Sequence, residues 1–111
     1  MRGEHLGELE ELVLLTVGSL VGEAYAVVIL EEIKSHTNRN MDVTAIHSVL
    51  RRLEKKGFVT SEMGGASNER GGRRKRFFAL TLSGRRVLDE TMELRSALYQ
   101  KLPKLTFSAH Q

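Results

Sequence analysis

The spacing of apolar residues changes at Gly57, and this change constrains the fold more than any other feature of the chain. Before Gly57, three segments carry apolar residues three and four positions apart, as on one face of an α-helix. After it, FVTSEM and KRFFALT are rich in β-branched and aromatic residues, which favour strands. They enclose GGASNERGGR, whose four glycines indicate a turn. The sequence therefore predicts three helices followed by a two-stranded hairpin.

The first three helices differ in how clearly their ends are marked. The first two span about residues 7–20 and 24–36. The third begins at an N-cap residue, either Asp42 or Thr44, and ends at Gly57, which suits the C′ position. Its inward stripe consists of Ile46, Val49, Leu50 and Leu53.

A fourth helix follows the hairpin. It spans about residues 83–102 and ends at Pro103, whose ring and missing N–H do not fit a helix interior. A chain of 111 residues suits one unit with a modest core. The predicted fold class is therefore mainly α with a small β-hairpin, an α+β arrangement.

Composition excludes several classes of protein. The absence of cysteine excludes disulfides and thiolate zinc sites, and it fits a reducing cytoplasm. The longest apolar run, residues 24–30, is far below the roughly 20 residues of a membrane span. The N-terminal MRGEHLGELEEL is acidic, unlike a signal peptide. We therefore predict a cytoplasmic protein without a membrane partner.

Motifs for metal binding and catalysis are also missing from the sequence. The histidines have no HxxxH or HExxH spacing and no cysteine companions; they are His5, His36, His47 and His110. The chain has no GxSxG string and no Walker A string. The sequence therefore predicts no enzyme, no metal and no cofactor.

Positive charge is concentrated in the middle of the chain. Residues 33–76 hold eleven cations and four anions, whereas residues 1–32 hold one cation and seven anions. This asymmetry predicts a polyanionic partner that faces the middle segment, with the acidic region turned away from it.

Helix, helix, basic helix, hairpin and helix is the element order of a winged helix-turn-helix domain. In that fold the third helix enters the DNA major groove, and the hairpin, or wing, lies along the backbone. Cations stand at both places: Arg51, Arg52 and Lys55 on the third helix, and Arg70, Arg73, Arg74 and Lys75 on the wing. We therefore predict double-stranded DNA as the partner. Arg76 either contacts DNA in the same way or pairs with Glu62 across the hairpin, and the sequence does not distinguish the two.

The start of the third helix carries the residues that would read sequence. Base edges are expected to be close to Thr44, Ala45, His47 and Ser48. Arg51 and Arg52 suit phosphate or guanine contacts, without a choice between them. Tyr25 lies near the start of the second helix, where either its hydroxyl reaches a phosphate or its side chain packs in the core or at the rim of the core.

Apolar residues on two helices exceed what a small core needs. Leu14 and Leu15 fall off the main stripe of the first helix, and the fourth helix presents Val87, Leu88, Thr91, Leu94 and Leu98. We predict a homodimer interface from these residues. The chain then divides into a DNA-binding domain over residues 6–82, a dimerisation helix over 83–102 and a flexible tail over 103–111.

Four segments resemble the PadR-like transcriptional regulators: LGELEELVLLTVGSL, EAYAVVILEEI, VTAIHSVLRRLEKKGFVTSE and, most specifically, ERGGRRKRFFALTLSGRRVL. The resemblance covers about residues 6–100. It implies a homodimer on an inverted-repeat operator, usually a repressor released by a small molecule. Some relatives bind aromatic or drug-like molecules between dimer helices.

Two positions depart from the family pattern. Ala26 follows Tyr25 where the family commonly has glycine, and His47 stands where it commonly has tyrosine. Because His47 lies on the predicted reading helix, the resemblance does not imply an operator sequence.

Two other functions stay open from the sequence. The fold also serves as a protein-interaction module, and the basic glycine-rich tip resembles an RNA-binding or localisation tract. Against a simple tract, Phe77, Phe78, Ala79 and Leu80 follow the cations directly and tie them to a folded strand.

Overall fold

The structure, a computed structural model, describes residues 6–64 and 75–104. Its elements, in order, are α1 (Glu8–Ser19), α2 (Ala26–Thr37), α3 (Val43–Lys55), β1 (Val59–Met63), β2 (Arg76–Leu80) and α4 (Leu82–Gln100). The predicted α+β class and element order are confirmed. Arg70, Arg73 and Arg74, the predicted cations of the wing tip, lie outside the described residues, as do residues 105–111 of the predicted tail.

One apolar core joins α1, α2, α3 and the hairpin. The predicted inward stripe of α3 is at most 1% exposed and consists of Ile46, Val49, Leu50 and Leu53. Around it pack Val13, Val17, Ile29, Phe58 and Phe78. Removal of this surface from water is the main force that stabilises the fold. Because the inward face of α3 is fully used, its opposite face lies on the protein surface.

Local signals set both ends of α3. The side chain of Asp42 accepts a hydrogen bond from the Ala45 N–H at 3.2 Å, so Asp42 rather than Thr44 is the N-cap. After the helix, Gly57 takes a φ of +84°, a left-handed conformation that glycine adopts without a steric penalty. This turn leads the chain directly into β1.

The base of the hairpin is tied to the helices. β1 and β2 are antiparallel, with Ser61 opposite Phe78. The backbone N–H of Phe78 donates to the carbonyl oxygen of Ala24 at 2.9 Å, and the Phe78 side chain is buried in the core. The hydrogen bond fixes β2 beside the loop that enters α2.

The start of α4 lies against the turn between α3 and β1. The Thr81 hydroxyl accepts a hydrogen bond from the Gly84 N–H at 3.0 Å and donates to the Gly57 carbonyl oxygen at 2.6 Å. Gly84 is buried, and a Cβ at this position would overlap the carbonyl oxygen of Phe58. Only glycine therefore allows this approach of the two backbones.

α4 packs on the core along its first half only. Val87 and Leu88 are buried, whereas every residue from Glu93 to Lys104 is exposed. Further along, Arg95 Nη2 donates to Oε1 of Glu11 on α1 at 2.9 Å. Within residues 6–64 and 75–104, no helix combines the length and the apolar character needed to cross a membrane.

Three residues that the sequence predicts at a subunit interface lie inside the protomer. Leu14 is fully buried in the core, and Val87 and Leu88 are 9% and 6% exposed. Helical spacing marks such residues as covered, but it does not distinguish the protomer's own core from a second subunit. The interface prediction is therefore restricted to Leu15, Thr91, Leu94 and Leu98.

Candidate nucleic-acid interface

The outward face of α3 has a polar first half and a basic second half. Its first half carries the predicted base-reading residues: Thr44 and His47 are exposed, and Ala45 and Ser48 are half-buried. Arg51 and Lys55 follow on the second half and are exposed. Short side chains thus precede cations along the helix, an order that suits base edges first and phosphates second.

Two cavities along α3 share Arg51 and Glu54 in their walls, and we term the two together the α3 groove. The larger, about 640 Å³, lies between the start of α2, the outward face of α3 and the start of β2. The smaller, about 510 Å³, runs along α3 from Ser48 to Lys55. The fold brings four predicted site residues into the wall of the larger cavity: Tyr25, His47, Arg51 and Lys75.

Lys75 and Tyr25 meet at one edge of the α3 groove. The Lys75 ammonium lies 4.4 Å from the centroid of the Tyr25 ring and donates to its hydroxyl oxygen at 3.2 Å. The Phe77 ring packs against the Tyr25 ring edge-on, with 5.3 Å between centroids. The Tyr25 ring therefore packs against the wing, while its hydroxyl lies beside a cation.

Arg52 lines the smaller cavity, but its guanidinium is used within the protein. Its Nε donates to Oε2 of Glu10 at 3.2 Å, and Lys56 Nζ donates to both oxygens of the same carboxylate. The sequence predicts Arg52 as a DNA contact, whereas the structure shows it bridging α3 to α1. Its partner lies 42 residues away in sequence, so no local spacing reveals the pair.

The carboxylate of Glu10 is charged despite its burial. Burial raises the pKa of Glu10, but hydrogen bonds from the Gly7 N–H, Lys56 and Arg52 outweigh it and hold this pKa below the ordinary value of 4.5. The Gly7 bond, 2.9 Å long, forms because Glu10 is the third residue of α1 and reaches back to its N-cap. The spacing of Gly7 and Glu10 was the available sequence signal for this role.

A second bridge, not predicted from the sequence, joins α3 to the hairpin. Arg76 Nη1 donates to Ser61 Oγ at 2.9 Å, and Ser61 Oγ donates to Oε2 of Glu54 at 2.9 Å. Arg76 is opposite Met63 in the strand register, so Ser61 shares its face of the hairpin and Glu62 points to the other. The suggested pairing of Arg76 with Glu62 is thus replaced by Ser61.

The groove offers recognition of an anion by cations and hydroxyl groups. Cations line both cavities. Among the residues that the structure describes, Glu54 is the acidic side chain in the walls of both cavities. Because Glu54 is bonded to Ser61, its charge lies toward the hairpin. In the described parts of the chain, no cluster of three histidine, aspartate or glutamate side chains is placed to hold a metal ion.

Comparison with known proteins identifies a family. The sequence model of the transcriptional regulator PadR-like family matches residues 13–90 of this chain. The matched span includes α2, α3 and the whole hairpin, which together build the α3 groove. No curated protein matches the chain.

Several solved structures share the fold. A PadR-like transcription factor from Bacteroides fragilis superposes with a TM-score of 0.70 at 21% identity, covering 83% of this chain and 84% of that one. A PadR family regulator from Clostridium difficile gives 0.68 at 20%, with 85% and 93% covered. A PadR-like regulator from Bacillus cereus gives 0.66 at 18%, with 83% and 84% covered. At these identities the likeness establishes the winged-helix fold.

Proposed function

The chain belongs to the PadR-like family of transcriptional regulators, and on that premise we propose that it is a repressor that binds an inverted-repeat operator as a homodimer. Family membership makes the protein a DNA-binding regulator and not an enzyme. The operator, the dimer and repression are the parts of the proposal that go beyond membership.

The presence of His47, Arg51 and Lys75 in the wall of one cavity supports the DNA-binding mode most strongly. His47 and Arg51 belong to α3, and Lys75 directly precedes β2, which the Phe78 hydrogen bond holds beside the loop that enters α2. An α-helix with side chains, about 10–12 Å across, fits a major groove about 12 Å wide. In the proposed complex α3 lies in the major groove, and the hairpin follows the backbone.

The second half of α4 supports the homodimer. Leu94 and Leu98, one turn apart, are 61% and 58% exposed, and Leu15 of α1 is 38% exposed. Large apolar side chains along one face of an exposed helix are typical of a surface that a partner covers. A two-fold dimer through this surface would present two copies of α3 to half-sites about one DNA turn apart.

Repression is the mode of regulation that the family resemblance implies, and a cytoplasmic location fits a DNA partner. An aromatic or drug-like effector between the dimer helices stays a prediction of that resemblance.

Selection of bound duplexes from a random pool tests the proposed function. The selected sequences are expected to form an inverted repeat with half-site centres about 10 bp apart. Replacement of His47 or Ser48 by alanine is expected to change the selected bases, because both lie on the reading half of α3. Lys34→Ala, an exposed change near the end of α2, should return the same sequence.

Two outcomes of the selection would contradict an operator-binding regulator. A duplex pool without any enriched sequence would favour the protein-interaction alternative. Stronger enrichment of sequences from a random RNA pool, selected in parallel, than from the duplex pool would favour the RNA-binding alternative.

A further inference from the structure

The contact between Lys75 and Tyr25 leaves donors on both groups. A lysine ammonium has three N–H donors, and one of them is directed at the Tyr25 hydroxyl oxygen at 3.2 Å. Because that oxygen accepts this hydrogen bond, the hydroxyl proton is left to be donated elsewhere. Lys75 is exposed and Tyr25 is half-buried, so solvent or a ligand reaches both groups.

The Tyr25 ring holds this pair of donors in place. Phe77 packs edge-on against the ring, and the ammonium of Lys75 lies over the ring at 4.4 Å from its centroid. A lysine side chain on a surface otherwise samples many rotamers, and ordering it on binding costs affinity. The cluster of Tyr25, Lys75 and Phe77 reduces that cost because the ammonium is already positioned.

The position of the cluster favours an anion over a base edge. Tyr25 is the N-cap residue of α2, and the partial positive charge of a helix N-terminus adds to the charge of Lys75. The first turn of α2 carries no acidic side chain that competes for the ammonium. The cluster also stands at the rim of the α3 groove, where the backbone of a duplex passes when α3 occupies the major groove.

We propose that Lys75 and Tyr25 bind one DNA backbone phosphate jointly, the ammonium and the hydroxyl each donating to one of its oxygens. This inference rests on the proposed function and specifies one of its contacts. Tyr25 is then a DNA-binding residue in its own right and also the residue that positions Lys75.

Binding of a random-sequence duplex of about 30 bp tests the joint contact, because a phosphate contact does not depend on sequence. Dissociation constants are measured over a series of salt concentrations for the wild type, Tyr25→Phe, Lys75→Met and the double variant. The salt slope is the decrease in the logarithm of the association constant per unit increase in the logarithm of the salt concentration. Phenylalanine keeps the ring under the ammonium and removes only the hydroxyl. Lys34→Met is the matched control, since it removes one cation roughly 13 Å along α2 from Tyr25.

Each variant has a distinct expected effect. Tyr25→Phe weakens binding about tenfold, as expected for a hydrogen bond to a charged group, and leaves the salt slope unchanged because no charge is lost. Lys75→Met lowers the slope by about 0.9 for each phosphate contact removed, whereas Lys34→Met does not. The affinity of the double variant for duplex falls by a smaller factor than the product of the two single-variant factors. The difference is at least about threefold, because the two contacts are coupled.

Several results would overturn the joint contact. Single losses that simply multiply would mean two independent contacts, and wild-type affinity for Tyr25→Phe would mean that the hydroxyl does not bind. Equal slopes for Lys75→Met and Lys34→Met would mean that Lys75 acts only through net charge, a result that does not depend on how Tyr25→Phe folds. If the wild type fails to bind duplex at all, the proposed function falls together with this inference.

Discussion

Arg52 on α3 donates a hydrogen bond to the buried carboxylate of Glu10 on α1, with 3.2 Å between Nε and Oε2. Its neighbour Arg51 is exposed and lines both cavities of the α3 groove. Two adjacent arginines on one helix thus have different roles. Arg52 holds α3 against α1, and Arg51 faces the proposed DNA.

Glu10→Gln is expected to lower the free energy of unfolding at pH 7 by about 1–2 kcal/mol, measured by urea denaturation. The buried carboxylate loses its charge opposite Arg52 and Lys56, although the exposure of Arg52 limits the loss. The difference from wild type should shrink with falling pH. Because the pKa of Glu10 is lower in the folded state, its stabilisation is present above about pH 4.5 and is lost as the pH falls through the folded pKa.

Glu31→Gln, an exposed change on α2, is the control for Glu10→Gln and should stay within about 0.5 kcal/mol of wild type. A difference between wild type and Glu10→Gln that is constant from pH 7 to pH 3 would contradict a charged bridge.

Alanine replacements of Arg51 and Arg52 are expected to separate binding from stability. Arg51→Ala should lower the salt slope of duplex binding by about 0.9 per contact and change the unfolding free energy by less than about 0.5 kcal/mol. Arg52→Ala should cost about 1 kcal/mol of stability and affect the slope much less. Salt titration and urea denaturation of the same two samples measure both effects. The reverse pattern would show that Arg52 is the phosphate contact.

Gly84→Ala is expected to destabilise the protein by about 3 kcal/mol, because the added Cβ meets the backbone of Phe58 and not a movable side chain. Thermal or urea unfolding measures the loss. Ser83→Ala, at the exposed position before it, should change stability by less than about 0.5 kcal/mol. Equal stability of Gly84→Ala and wild type would mean that α4 does not approach the turn this closely.

Leu94→Glu combined with Leu98→Glu is expected to convert the proposed dimer into monomers, because two charges per protomer would have to be buried in the interface. Sedimentation velocity measures the change. Ser96→Glu is the control, since Ser96 lies about 200° from Leu94 around α4 and should leave the dimer intact. A dimer that survives the double change would place the interface elsewhere.

The element order was predictable because strong local signals mark it. Asp42 caps the start of α3 and Gly57 allows the left-handed turn after its end, and both effects act within one turn of the helix. The apolar stripe from Ile46 to Leu53 identifies the buried face of α3. The approach of Lys75 to Tyr25 was not predictable in the same way. It depends on β2 passing beside the start of α2, a packing of segments 50 residues apart.

Leu14 and Arg52 illustrate why side-chain roles were harder to predict than elements. An apolar residue off the main stripe of α1 indicates that something covers it, and the fold determines that the cover is the protomer's own core. A cation on an outward helical position likewise has no marker for a partner such as Glu10. Helical periodicity places side chains around an axis, but it does not place the other helices.

Competition binding tests the central claim, sequence-specific recognition of duplex DNA through the α3 groove, most directly. The labelled duplex recovered by selection is bound by the protein and displaced with unlabelled random duplex or RNA at fixed salt. We predict that the selected duplex binds at least about 10³-fold more tightly than either competitor. Equal affinity for the selected duplex, random duplex and RNA would contradict the claim.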